Sequence, residues 1–196
     1  GRMLKLYEAI AEEHDNDPYA RQQQALGYGR ICNILAMTGQ KAEAETAINQ
    51  GISILDELLE ANPHDRDHKL RLSELLFKRL HLTSRPREEN LKDAQRALAL
   101  CEELVEPGSN AHIGGVGLLH LKVADLLPKD SPHVDEHIAN SIRIPEEHGL
   151  TPHWASYIRT AQSTEKKGDF AEAEENYRRG IEGCRRSADG GHRIDR

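Results

Sequence analysis

The sequence predicts an all-α helical-repeat solenoid built from antiparallel helix pairs, and three observations lead there. The stretches GQKAEAETAINQGI (39–52) and GDFAEAEENYRRGI (168–181) are one fourteen-residue phrase written twice, with Gly first, Ala at +3 and +5, Gly at +12 and Ile at +13. Such an echo marks a repeat architecture, in which each unit buries against its neighbour a face it cannot bury alone. The chain is also rich in Ala, Leu, Glu, Arg and Lys with 4% aromatic residues, a mix that favours helix when summed over whole segments. Finally, apolar residues recur at three- and four-residue steps, the period of amphipathic helices. A hydrophobic share of 37% over 196 residues suits thin seams between helices rather than one thick core.

The elements follow in order. Residues 4–18, LKLYEAIAEEHDNDP, share their grammar with ILDELLEANPHDRDHKLR (54–71): a periodic helix, then a turn rich in Asn, Asp, His and Pro. The chain is therefore expected to open mid-repeat, on an orphan helix at 2–14, as an excised piece of something longer. Helix 19–38 carries a stripe of Leu26, Ile31, Ile34 and Leu35, and Gly39 supplies its exit turn. Helix 41–61 aligns Ala44, Ile48, Ile52, Leu55 and Leu59, and helix 67–83 presents Leu72, Leu75, Leu76 and Leu80. Thr83-Ser84-Arg85-Pro86 breaks the pattern before helix 87–106, with Leu91, Ala94, Leu98, Cys101 and Leu104.

Pro107-Gly108-Ser109-Asn110 is a loop signal. Helix 112–127 contains Gly114, Gly115 and Gly117, so its first turns are either frayed or packed closely on a neighbour. Ser131 as N-cap with Pro132 at the first helical position opens helix 131–148, which Pro145 should end or kink early. Thr151-Pro152 repeats that signal before helix 152–167, and Gly168 leads into helix 170–187. The array thus spans 1–187, with repeats at about 19–61, 67–106, 112–148 and 152–187, and the tail 188–196 is expected to be disordered.

Composition narrows the partners. With 26 Lys and Arg against 33 Asp and Glu the formal charge is −7, a surface that repels nucleic-acid phosphates and anionic lipid. Neither nucleic acid nor membrane is expected as a partner. The basic run RRGIEGCRR (178–186) reads as the solvated face of a last helix, with an acidic segment as its alternative ligand. No stretch approaches ~18 consecutive apolar residues and no secretory pattern opens the chain, which points to the cytoplasm. The cysteines Cys32, Cys101 and Cys184 are odd in number and widely spaced, so neither a disulfide framework nor a zinc ribbon is expected. Each falls within a helical pattern, as a small buried hydrophobe would.

With Gly39 at the inter-helix turn, Tyr28, Ile31, Cys32 and Leu35 take the packing positions of one helix and Ala44, Ile48, Gly51 and Ile52 those of the next. Gly168 likewise aligns Tyr157, Ala161, Ala173, Tyr177, Gly180 and Ile181. This pattern of small and large residues resembles the tetratricopeptide repeat (TPR). The resemblance implies a right-handed α-α superhelix whose small residues let backbones approach closely. It is clear in the first and last repeats; the middle two need an insertion after Arg85-Pro86 or lack the Gly-to-Ala phrase, and the units run longer than the family's usual length. Long repeats with Asp- and Pro-rich joints also resemble arrays attached to large bacterial signalling proteins, serine/threonine kinases among them.

Eleven histidines raise a metal reading. HVDEH (133–137) matches the inverted zinc-protease motif H-x-x-E-H, in which His133 and His137 would hold zinc and Glu136 would act as general base. The motif sits in a first helical turn, where polar residues belong anyway, and no third ligand is marked downstream. His64 and His68 straddle an Asp-rich joint, where solvated residues are normal. GGVG (114–117) lacks the preceding strand and following Lys of a phosphate loop, and no Ser nucleophile elbow appears. No cofactor or metal is expected.

What remains is a surface. In TPR arrays the first helix of each repeat lines a concave groove that holds peptides, which here implies Gly29, Asn33, Ala36 and Met37 in the first repeat and Ile158, Arg159, Gln162 and Lys166 in the last. Asn33 matches a position that chaperone-binding members use to clamp a terminal carboxylate, but Gly29 stands where a Lys is wanted, so a full clamp is not expected. The reading is a non-catalytic protein-interaction module: Asn33, Arg159, Gln162 and Lys166 fix a peptide, and Met37 and Ile158 supply apolar contact. Its rivals are a regulatory or dimerisation segment of a larger signalling enzyme and a metal-dependent hydrolase centred on His133, Glu136 and His137. The sequence leaves the partner's identity and the oligomeric state open.

Overall fold

The computed structural model describes residues 17–82, 85–106 and 112–190. The helix expected at 2–14, the break at Thr83-Ser84, the loop 107–110 and the tail from 191 lie outside the described residues. Among the described residues every regular element is an α-helix: α1 Pro18–Met37, α2 Lys41–Ala61, α3 Arg66–Leu82, α4 Arg87–Glu102, α5 Ile113–Leu126, α6 Val134–Glu147, α7 Trp154–Lys166 and α8 Phe170–Gly190. The fold is all-α, as predicted. The chain divides into two compact units, Gly1–Leu104 and Val105–Arg196.

In the first unit, Pro18 takes the first position of α1 and the Asp17 carboxylate caps it, accepting from the Tyr19 N–H at 3.1 Å. At the other end Gly39, at φ +81°, lets the Gln40 N–H reach the Leu35 carbonyl (2.8 Å) and the Gly39 N–H reach that of Ala36 (3.1 Å). This left-handed exit satisfies carbonyls that the helix end would otherwise orphan. So short a connection folds α2 back on α1, and α3 packs on both. The core holds Ala25, Tyr28 and Cys32 of α1, Ala44, Ile48 and Leu55 of α2, and Leu72, Leu75 and Leu76 of α3. Each buried leucine or isoleucine contributes about 1.5–3 kcal/mol.

The seam is close because its residues are small. A Cβ on Gly29 would lie 2.6 Å from Leu75 Cδ2, and one on Gly51 would lie 2.8 Å from the Ala25 carbonyl oxygen. The inward face of α1 therefore runs through 25, 28, 29 and 32, and Ile34, expected in the buried stripe, is 52% exposed. His68 departs the other way: it is buried at the start of α3 with Nδ1 3.6 Å from Asp65 Oδ1, not solvated. A polar tie crosses the unit, with Arg79 donating to both oxygens of buried Asp93 (2.8 and 2.6 Å) and to Asn49 (2.7 Å), while Arg85 also pairs with Asp93. It fastens α2, α3 and α4 together, and the two guanidinium groups offset the cost of burying the carboxylate.

In the second unit α5 packs on α6, α6 on α7 and α7 on α8. The α5–α6 crossing depends on two residues. A Cβ on Gly117 would lie 2.9 Å from Pro145 Cγ and 3.1 Å from the Ser141 carbonyl oxygen. Pro145 has no N–H to return to that carbonyl, and the backbone of Gly117 takes up the space. Close packing rather than fraying is thus the role of Gly117, while Gly114 and Gly115 face open space. Pro145 does not cut α6 short; the helix runs on to Glu147 and exits through Gly149 at φ +70°.

Ser131 closes a leading turn, its Oγ accepting from the His133 N–H at 3.4 Å, and α6 proper begins at Val134. His153, one residue past the expected Thr151-Pro152 start, caps α7 by accepting from the Ala155 N–H at 3.3 Å. Gly168, at φ +86°, repeats the exit seen at Gly39. On α8, Ala173 is buried while Ile181, expected in the packing pattern, is 49% exposed. Cys32 and Cys101 are buried as expected, but Cys184 is exposed. The helix α8 continues to Gly190, into the segment expected to be disordered.

Candidate functional site

The six residues expected to line a groove fall in different compact units. Asn33 and Met37 lie on α1, where Asn33 is half-buried and Met37 is 87% exposed beside the exposed Ile34. Gly29 does not face outward at all, because Leu75 lies against it. Ile158, Arg159, Gln162 and Lys166 lie on α7. Ile158 turns toward α8: a Cβ on Gly180 would come within 2.8 Å of its Cγ1.

Arg159, Gln162 and Lys166 share the opposite role. With Ser163 they form one wall of a cavity of about 210 Å³, whose other wall is Val134, Asp135 and Ile138 of α6 with Lys129 and Ser131 ahead of it. The spacing 159, 162, 166 puts these side chains on one helical face, so α7 itself aligns them. Arg159 is held in place by Asp125 (2.8 Å) and by donating to Gln162 Oε1 (3.1 Å). Asp135 pairs with Lys167 (2.6 Å) and accepts from Ser163 Oγ (2.6 Å), and Lys167 first, then Ser163, holds its carboxyl below the usual carboxylate range.

Charge in the cleft is therefore uneven. Arg159 and Lys167 have carboxylate partners, while Lys129 and Lys166, both exposed, make no salt bridge among the described residues. Val134 and Ile138 supply an apolar floor. Such a cleft can accept a side-chain or terminal carboxylate at its rim and an aliphatic group within, which is the chemistry of peptide recognition. Of the residues expected on α7, Arg159, Gln162 and Lys166 line this cleft and Ile158 does not, while Lys129 and Asp135, which were not expected there, reach it from other segments.

The HVDEH residues are placed differently from a zinc-protease triad. His133 stands just ahead of α6 with no side-chain bond to its backbone, its Nδ1 3.3 Å from Glu136 Oε2, so the would-be base engages one of the would-be ligands. His137 turns its Nδ1 to that of His120 on α5, 2.8 Å away. Among the described residues no group of three or more His, Cys, Asp or Glu side chains is placed to hold a metal ion. Burial, first of all, and then the nearby His137 and Arg143 lower the pKa of His120 to about 4, and burial lowers that of His137. Both imidazoles are therefore neutral at pH 7, and one shared N–H bridges α5 to α6.

No protein-family model and no curated protein matches the sequence. Among solved structures, the crystal structure of MamA matches with a TM-score of 0.52 at 15% identity, covering 95% of this chain and 89% of that one. The chain has the TPR-like helical-repeat fold of MamA. At that identity the likeness is one of fold, so the chemistry of the surface has to be read from this chain's own residues. Among the described residues no helix is long and apolar enough to cross a membrane.

Proposed function

We propose that the chain is a non-catalytic protein-interaction module that holds a peptide of a partner protein along α7. The cleft between α6 and α7 carries this reading: it joins an apolar floor, Val134 and Ile138, to two exposed lysines, Lys129 and Lys166, that make no salt bridge among the described residues. In a chain of net charge −7 a local cationic rim selects a partner of opposite sign and speeds the encounter. Arg159 and Gln162, locked to each other and to Asp125, are preorganised donors and acceptors, which lowers the entropy lost on binding. Asn33 and Met37 offer a second contact on α1, apolar through Met37. TPR-like scaffolds supply such surfaces by stacking rigid helices, and three widely spaced cysteines suit a reducing cytoplasm.

The test uses three short peptides, acidic, neutral and basic, each with one central leucine, titrated into isotope-labelled protein. The acidic peptide should shift backbone amides of α6 and α7, more weakly as salt rises, and Lys129→Glu with Lys166→Glu should remove the effect. Equal binding of all three peptides, or shifts that avoid these helices, would overturn the reading.

A further inference from the structure

The phrase that occurs twice in the sequence is closed in one unit and open in the other. In the first unit α3 packs on α2, and Ala44, Ile48 and Ile52 are all buried. There Asn49 accepts from Arg79 of α3 at 2.7 Å, and Leu75 of α3 lies over Gly51. In the second unit the matching positions are Ala173, Tyr177, Ile181, Arg178 and Gly180. Tyr177 is half-exposed, Ile181 is 49% and Phe170 69% exposed. Together with Glu174 and Arg178 they line an open cavity of about 390 Å³ along α8. The first copy of the phrase shows what covers this face: a leucine-bearing amphipathic helix.

We propose that the exposed face of α8 docks one amphipathic helix of a partner protein, seated as α3 sits on α2. The differences between the two copies define that helix. Arg178 replaces Asn49, so an acidic side chain belongs where α3 carries Arg79. The bond of Arg178 to Glu174 (2.6 Å) joins two exposed residues of one helix, and such a pair exchanges readily for an incoming carboxylate. Ile158 already fills the space over Gly180 that Leu75 takes over Gly51, so a small residue belongs there. Leucines one turn to either side then cover Tyr177 and Ile181, in the manner of a helix laid in a groove. This surface is separate from the α6–α7 cleft, and either can fail without the other.

The probe is a labelled peptide with the sequence of residues 66–82 carrying Leu75→Ala and Arg79→Glu. Fluorescence anisotropy should show saturable binding that Ile181→Asp weakens at least tenfold and Lys166→Glu leaves unchanged. The same peptide with Arg79 retained should bind more weakly, and amide shifts should centre on 170–181. Ile181 and Phe170 are exposed enough for Ile181→Asp and Phe170→Ser to keep wild-type helicity by circular dichroism, which separates lost docking from lost folding. Absence of binding, or binding indifferent to both variants, overturns the proposal. So does a concentration-dependent dimer that Ile181→Asp dissociates, because the occupant is then a second copy.

Discussion

Acid should loosen the second unit through His120. This side chain is 3% exposed, its Nδ1 lies 2.8 Å from that of His137, and its pKa falls from 6.5 to about 4. The neutral ring is the form the folded state prefers, because a charged imidazole there would be poorly solvated and would face His137 and Arg143. The unfolded chain thus binds the proton more readily than the folded one, and stability rises with pH across the interval between the two pKa values. It is full above about pH 6.5 and is lost progressively down to about pH 4. The whole interval corresponds to roughly 3.4 kcal/mol, of which about 2 kcal/mol falls between pH 7 and pH 5. His137 shifts in the same direction and adds to the loss.

Urea unfolding of wild type and His120→Leu, repeated at intervals from pH 7.5 to pH 5, isolates this effect from the carboxylates common to both. The leucine side chain has no proton to gain, and half-exposed His137 can turn its freed Nδ1 to water. The wild type should lose about 2 kcal/mol more than the variant over that range. Parallel pH profiles, or a wild type more stable at pH 5 than at pH 7, would refute the reasoning.

Other outcomes follow from the packing. Ala44→Leu and Ala173→Leu should each destabilise by about 1–3 kcal/mol in chemical unfolding, since both side chains are buried, while exposed Glu43→Leu and Glu172→Leu should not. Gly180→Ala should lower the melting temperature by forcing its new Cβ against Ile158, and adding Ile158→Val should restore part of the loss; strict additivity of the two would contradict the contact. Purified, chelator-treated protein should take up no stoichiometric zinc by elemental analysis, and His133→Ala should leave its metal content unchanged, since His133 and His137 are turned to different partners.

Helix positions and their exits were legible in the sequence because they depend on local chemistry. Three- and four-residue apolar steps and Gly39 or Gly168 at an exit act through neighbouring backbone atoms. The repeated phrase extended this to packing, since Ala44 and Ala173 mark places where two helices touch. Arg159, Gln162 and Lys166, expected from the repeat alignment, line the cleft together because 159, 162 and 166 share a face of any helix, whereas Ile158 of the same set turns to α8. Which side of a helix turns inward was not legible. On α1 the small residues Ala25 and Gly29 face the core and Ile34 faces water, because the seam admits only what α2 and α3 leave room for. Pairings between helices were equally hidden. His120 meets His137, Arg79 meets Asp93, and Lys129 joins Lys166 at one rim through the way chain segments cross, and no local propensity encodes a crossing. Periodicity states that a face is apolar, but the neighbour's backbone, held by contacts far off in sequence, decides which residues that face touches.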